Sequence, residues 1–203
     1  MIQYFLERPY LIAIMIAVIL LTLFVCVKAG QASARRSKAN EAIIKKLKEE
    51  NALRNEFSVL TEKLVGAADE VRLFRGVALN LQKKISDATD MESEFNSLNE
   101  AQRDIYALSF IVEDGEAALS GFFRANGQPL RGAALSAVKK VFDEKICGIF
   151  EKEYNAFDSD NEEVSMIPEE ISALDKDFSQ LVSSEEICRA AGAYLKENID
   201  CFM

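Results

Sequence analysis

The chain of 203 residues has no histidine. That removes the commonest general base, the usual activator of a Ser or Cys nucleophile, and the commonest metal ligand. Its four cysteines, Cys26, Cys147, Cys188 and Cys201, form no CxxC pair, so a zinc site is not expected. No phosphate-binding Gly-x-x-x-x-Gly-Lys loop and no G-x-S-x-G elbow is present. The run DSDNEE at 158–163 lacks the Gly and the terminal Glu that a calcium loop places in register. No cofactor and no metal is therefore expected. An enzyme would have to work with carboxylates alone, such as Asp175 with Asp177 or Glu185 with Glu186. Neighbouring acids on a helix ordinarily face solvent, and only a buried pair of carboxylates in a concave pocket would revive that reading.

The net charge of −9 is unevenly placed. Residues 1–112 carry 15 basic and 14 acidic side chains, whereas residues 113–203 carry 9 basic and 19 acidic. An acidic surface repels nucleic acid and anionic lipid, so a basic protein partner is the easier expectation and nucleic acid is not.

One long apolar run stands out, YLIAIMIAVILLTLFVCV, from Tyr10 to Val27. Its 18 residues hold no charge, and as a helix they reach about 27 Å, near the thickness of a bilayer's hydrocarbon core. Leu11, Ile12, Leu20, Leu21 and Phe24 are among the 12 Leu, Ile, Val or Phe residues, which together favour insertion by roughly 4–7 kcal/mol. Lys28, Arg35, Arg36 and Lys38 follow. The positive-inside rule then places the N-terminus outside and the rest in the cytoplasm, with the lipid bilayer as the first partner. A cleaved signal peptide is the alternative, with Ala32-Ser33-Ala34 as its cleavage pattern. It would export the chain and permit a Cys147–Cys188 bridge. The length of the run, Lys28 before the site and Arg35-Arg36 after it favour an anchor.

After a basic juxtamembrane segment over 28–40, apolar residues recur at 3–4 spacing. Leu53, Phe57, Leu60, Leu64, Ala67, Val71, Phe74, Ala78, Leu81, Ile85 and Ala88 keep an a/d register. This predicts a coiled-coil stalk over 41–98. Such a stripe needs a cover, either a second copy, which makes a homo-oligomer, or the chain's own C-terminal part. Gly66 and Gly76 argue against a plain stalk, at about 1 kcal/mol each relative to Ala. Asp87, Thr89 and Asp90 fit either a slip of register or the cap of a new helix.

Residues 99–203 predict an all-α head. Ser97-x-x-Glu100 reads as a capping box, opening a helix that ends near Asp114-Gly115. Further helices are predicted over 116–125, 131–142 and 143–157, from Pro168, and from the capping box Ser183-x-x-Glu186. Asn126-Gly127-Gln128-Pro129 is a turn signal. The densest acidic stretch, Asp158, Asp160, Glu162 and Glu163, is the candidate contact patch for a basic partner.

IYALSFIVEDGEAALSGFFRANGQPL, ISALDKDFSQLV and AYLKEN together resemble the DNA mimic protein type domain, a bacterial group of undefined function. The resemblance covers about residues 100–200. It rests on Phe122, Phe123, Asn126 and Gly127, on Leu174, Asp177 and Phe178, and on Tyr194 and Asn198. An Asn-Gly-Gly run usual before the aromatic pair is missing, and only Gly115 and Gly121 stand nearby. The resemblance implies an all-α fold. One member of the group mimics DNA through an acidic surface, so a protein that occupies a basic DNA-binding partner is the second functional expectation. The first is a single-pass, non-enzymatic interaction protein that presents an acidic helical domain on a stalk.

Overall fold

Side chains able to cap a helix stand at most of the junctions. Thr61, Asp69, Asp90, Asn99 and Ser183 each accept a backbone N–H at the start of a helix. The computed structural model of the chain describes residues 40–115, 117–157 and 164–203, with Leu21, Thr22, Phe24, Lys28 and Ser37. Everything regular among these residues is helical. The chain divides into two units, Met1–Glu49 and Glu50–Met203.

Residues 40–56 are helical (α1). Within the first unit Ile43, Ile44 and Leu47 are exposed, and Lys45 and Glu49 lie 3.8 Å apart as an i,i+4 pair. Among the described residues no helix is long and apolar enough to cross a membrane. The anchor positions Tyr10, Leu11, Ile12, Leu20 and Val27, and the basic Arg35, Arg36 and Lys38, lie outside the described residues. Leu21 and Phe24 are described and stand 64% and 61% exposed, with the Lys28 ammonium 5.7 Å from the Phe24 ring centre.

The second unit continues with α2 (Glu62–Ala67), α3 (Glu70–Ser86), α4 (Met91–Ser97), α5 (Glu100–Asp114) and α6 (Leu119–Ala125). It closes with α7 (Leu130–Val141), α8 (Glu144–Phe157), α9 (Pro168–Leu181), α10 (Ser184–Glu197) and a 3₁₀ turn, Ile199–Cys201. Helix α3 packs on α10 and α5, α5 on α7 and α6, α7 on α8, and α9 on α8 and α6. One core runs through them, with Leu73, Phe74, Ile105, Leu108, Phe122, Phe123, Phe150 and Leu195 fully buried. Each such side chain contributes about 1.5–3 kcal/mol by leaving water.

The predicted stalk over 41–98 is corrected by this packing. The helix breaks at residues 57–61, 68–69 and 87–90. Phe57, Phe74, Ala78, Leu81 and Ile85, assigned to the a/d register, are buried in the same core as α10. Leu73 and Val77, off that register, are buried too, so α3 covers more than a two-residue seam. The chain's own C-terminal helices thus supply the cover, and the boundary at 98/99 between stalk and head disappears.

Two glycines explain how the helices come so close. A Cβ on Gly192 of α10 would lie 2.2 Å from the Glu70 carbonyl oxygen, so only a bare backbone lets α10 cross the start of α3 there. One turn on, Lys196 Nζ meets Glu70 Oε1 at 2.7 Å, and that hydrogen bond holds the Glu70 carboxyl below its usual pKa. A Cβ on Gly76 would lie 2.2 Å from the Phe57 ring, which takes the space Gly76 leaves. The Asn80 side-chain amide reaches the carbonyls of Arg54, Phe57 and Gly76 at 2.9–3.1 Å and so closes the end of α1 on α3.

The predicted helices after residue 99 are found, with two shifts. The first box is Asn99 with Gln102, not Ser97 with Glu100, and Ser97 ends α4. The 116–125 helix starts only at Leu119. The Ser183–Glu186 box is formed as read, and its bonds hold the Glu186 carboxyl below its usual pKa. Cys147, Cys188 and Cys201 are free thiols, so the Cys147–Cys188 bridge considered for an exported chain is not formed.

Candidate functional site

Helix α8 buries Ile146, Ile149, Phe150, Glu153 and Ala156, spaced three and four apart along one stripe. One member of that stripe is an acid. Helix α5 does the same, since Asp104 is buried beside Ile105, Ala107 and Leu108. These two acids are the only buried carboxylates among the described residues, and they have opposite surroundings.

Asp104 is fully provided for. Its Oδ2 receives Lys140 Nζ at 2.6 Å and the Tyr194 hydroxyl at 2.8 Å, and Lys140 also reaches Glu100 at 2.6 Å. Burial works against the Lys140 charge, yet its bonds to Asp104 and Glu100 outweigh that and hold its pKa above the ordinary value. Burial, then the bond to Asp104, pushes Tyr194 upward, so it stays a neutral phenol. This set ties α5, α7 and α10 together.

Glu153 has nothing comparable. It is 0% exposed, and neither carboxylate oxygen has a hydrogen-bond partner. Burial first, and then the negative charge of Asp175, pushes its pKa from near 4.5 to about 8, against a smaller pull from Arg124. At neutral pH Glu153 therefore carries its proton. Asp175, on α9, accepts the Ser120 backbone N–H at 2.7 Å and the Ser120 hydroxyl at 2.8 Å. Helix α6 has no side-chain cap of its own, so Asp175 supplies one from another helix. The neutral Glu153 thus lies in the field of Asp175 at the α6–α8–α9 corner. That arrangement can hold and release a proton, but Glu153 is closed to solvent and to any substrate.

Nothing in the sequence reading singled out Glu153. The signal was present as an acid four residues after Ile149 and three after Phe150, on the apolar stripe of α8. Of the acid pairs considered for catalysis, Asp177 is exposed, Glu185 is paired with Arg189 at 2.9 Å, and Glu186 caps α10.

The resemblance residues are scattered through the core and the helix ends. Phe122 and Phe123 pack edge to face at 5.1 Å and both meet Phe150. The Asn126 amide donates to Asp114 and to the Phe122 carbonyl, at 2.8 and 2.9 Å. Gly127 has open space around it. Arg131 gathers the carbonyls of Phe123, Asn126 and Phe157, which closes the loop after α6 on the end of α8. Phe178 is buried, Leu174 packs at the core edge, and Asn198 closes α10 by donating to the Tyr194 carbonyl at 2.8 Å. The structure brings Phe122, Phe123 and Asn126 together in one place and joins Tyr194 to Asn198 in another. The acidic residues Asp158, Asp160, Glu162 and Glu163 lie outside the described residues. No family model, no curated protein and no solved structure matches the chain.

Proposed function

We propose that the chain is a single-pass, membrane-tethered, non-enzymatic interaction protein. The stretch from Tyr10 to Val27 holds it in the bilayer with the N-terminus outside, and Lys28, Arg35, Arg36 and Lys38 fix the cytoplasmic side. The helical unit over 50–203 is the presented module, and its acidic excess selects a basic protein partner. The observation that carries the tether is the exposure of Leu21 and Phe24, two large apolar side chains on the apolar run that a bilayer would cover.

The test is crosslinking capture from native membranes with the full chain beside a version lacking residues 1–34. The expected result is a partner captured by the anchored form, weakened by added salt and lost with the shortened form. Equal capture by both forms, or capture insensitive to salt, would count against the reading. Reagents that label Cys201 from outside intact cells would overturn the cytoplasmic placement.

A further inference from the structure

The α6–α8–α9 corner contains a buried group that the interaction reading leaves unused. We propose that Glu153 is a proton-operated latch on α9: the neutral acid lets α9 lie closed over α6 and α8, and loss of its proton opens α9. This does not depend on the membrane tether or on the nature of the partner.

Three observations carry it. The first is the complete burial of Glu153 with both oxygens unpartnered. A carboxyl can occupy such a place when neutral, but a charge there has no bond to offset its lost hydration. The second is the set of charges around it. From α9 it faces Asp175, which is held in place by the two Ser120 bonds. From α6 it faces Arg124, whose guanidinium lies over the Phe157 ring at 5.2 Å and stays exposed. From α7, Arg131 is taken by three carbonyls, Lys139 by Glu151, and Lys140 by Asp104 and Glu100. Glu169, Glu170, Lys176 and Asp177 of α9 are exposed. Ionisation of Glu153 would therefore put a second negative charge against α9 with no cation bonded to it. The third is the weak seating of α9 itself. It buries only Ile171 and Phe178, whereas α10, of the same length, buries Ile187, Cys188, Ala191, Gly192 and Leu195. Its packing is on α8 and α6, so it can leave without separating α3, α5 and α10.

Because the open form ionises like an ordinary carboxyl and the closed form holds its proton, the opening constant must rise with pH between the two pKa values, by up to about tenfold per unit. The test is hydrogen exchange with mass spectrometry on the full chain in nanodiscs from pH 5 to 9, corrected for intrinsic exchange. In the wild type, peptides from 168–181 should open more often as pH rises to about 8 and then level off. They should also open at least about tenfold more often than peptides of α3 and α10 at every pH. Glu153→Gln should flatten the α9 profile. Glu153→Met, which carries no polar group to bury, should do the same. A flat wild-type profile, a slope that survives in both variants, or α9 opening only as often as α3 and α10 would each overturn the latch.

Discussion

Substituting Gly192 by Ala tests the packing of α3 on the C-terminal helix more sharply than any large truncation. The new Cβ would lie 2.2, 2.6 and 2.7 Å from the carbonyl oxygen, carbonyl carbon and Cα of Glu70. An ordinary contact needs roughly 3.4 Å or more, and these are backbone atoms, which cannot swing aside like a side-chain tip. The helices must separate by about 1 Å, with cost of the kind seen for overpacked cores, about 1–3 kcal/mol or more. Ala gains back at most about 1 kcal/mol in helix propensity over Gly. The net expectation is a loss of up to about 2 kcal/mol, and more where the backbone cannot yield. Gly148 provides the control. It is also inside a helix, α8, but its Cβ would meet nothing within 4 Å, so Gly148→Ala should stabilise by about 0.5–1 kcal/mol. Urea unfolding followed by far-UV dichroism reads both as shifts of the midpoint, downward for Gly192→Ala and upward for Gly148→Ala. If residues 70–86 stood in a stalk away from α10, both substitutions would raise the midpoint, and that result would refute the packing.

Three further outcomes follow from the polar groups. Glu153 has a folded-state pKa raised from near 4.5 to about 8, so its contribution to stability is present below pH 4.5 and is lost as pH rises toward 8. Wild type should lose up to about 5 kcal/mol relative to Glu153→Gln between those limits, with the gap constant above pH 8, as read by urea midpoints at each pH. Lys140→Met leaves Asp104 buried with the Tyr194 hydroxyl as its remaining bonded partner; it should cost about 2–4 kcal/mol at pH 7. Adding Asp104→Leu should restore much of the melting temperature, because no buried charge is then left. Asn80→Ala removes the amide that meets three carbonyls at the end of α1; about 1–2 kcal/mol should be lost, with faster hydrogen exchange at Arg54 and Phe57 as the local signature.

The helices after residue 99 were legible because their ends are written locally. Pro168, the Ser183–Glu186 box and the Asn126–Pro129 turn act within four residues of where they stand. Of the register positions over 53–88, Phe57, Phe74, Ala78, Leu81 and Ile85 are buried and Ala67 is exposed, and a stripe states only that something covers it. Gly76 and Gly192 carried the missing information. Each is an exchange of a side chain for close approach to a residue far away in sequence, Phe57 in one case and Glu70 in the other. Thr61 and Asp69 were ordinary polar positions in a heptad reading and became caps only once the helix was broken there, whereas Asp90 already read as either a slip of register or a cap. Glu153 was invisible for a related reason. A single acid on an apolar stripe looks like a register error until the neighbouring helices show that it has no way out to water.

The account rests most on the bilayer as the place of the first unit, and alkaline carbonate extraction of membranes from cells expressing the full chain tests it directly. The account predicts the full chain in the membrane pellet after the wash and a version lacking residues 1–34 in the supernatant. Release of the full chain into the supernatant would contradict it.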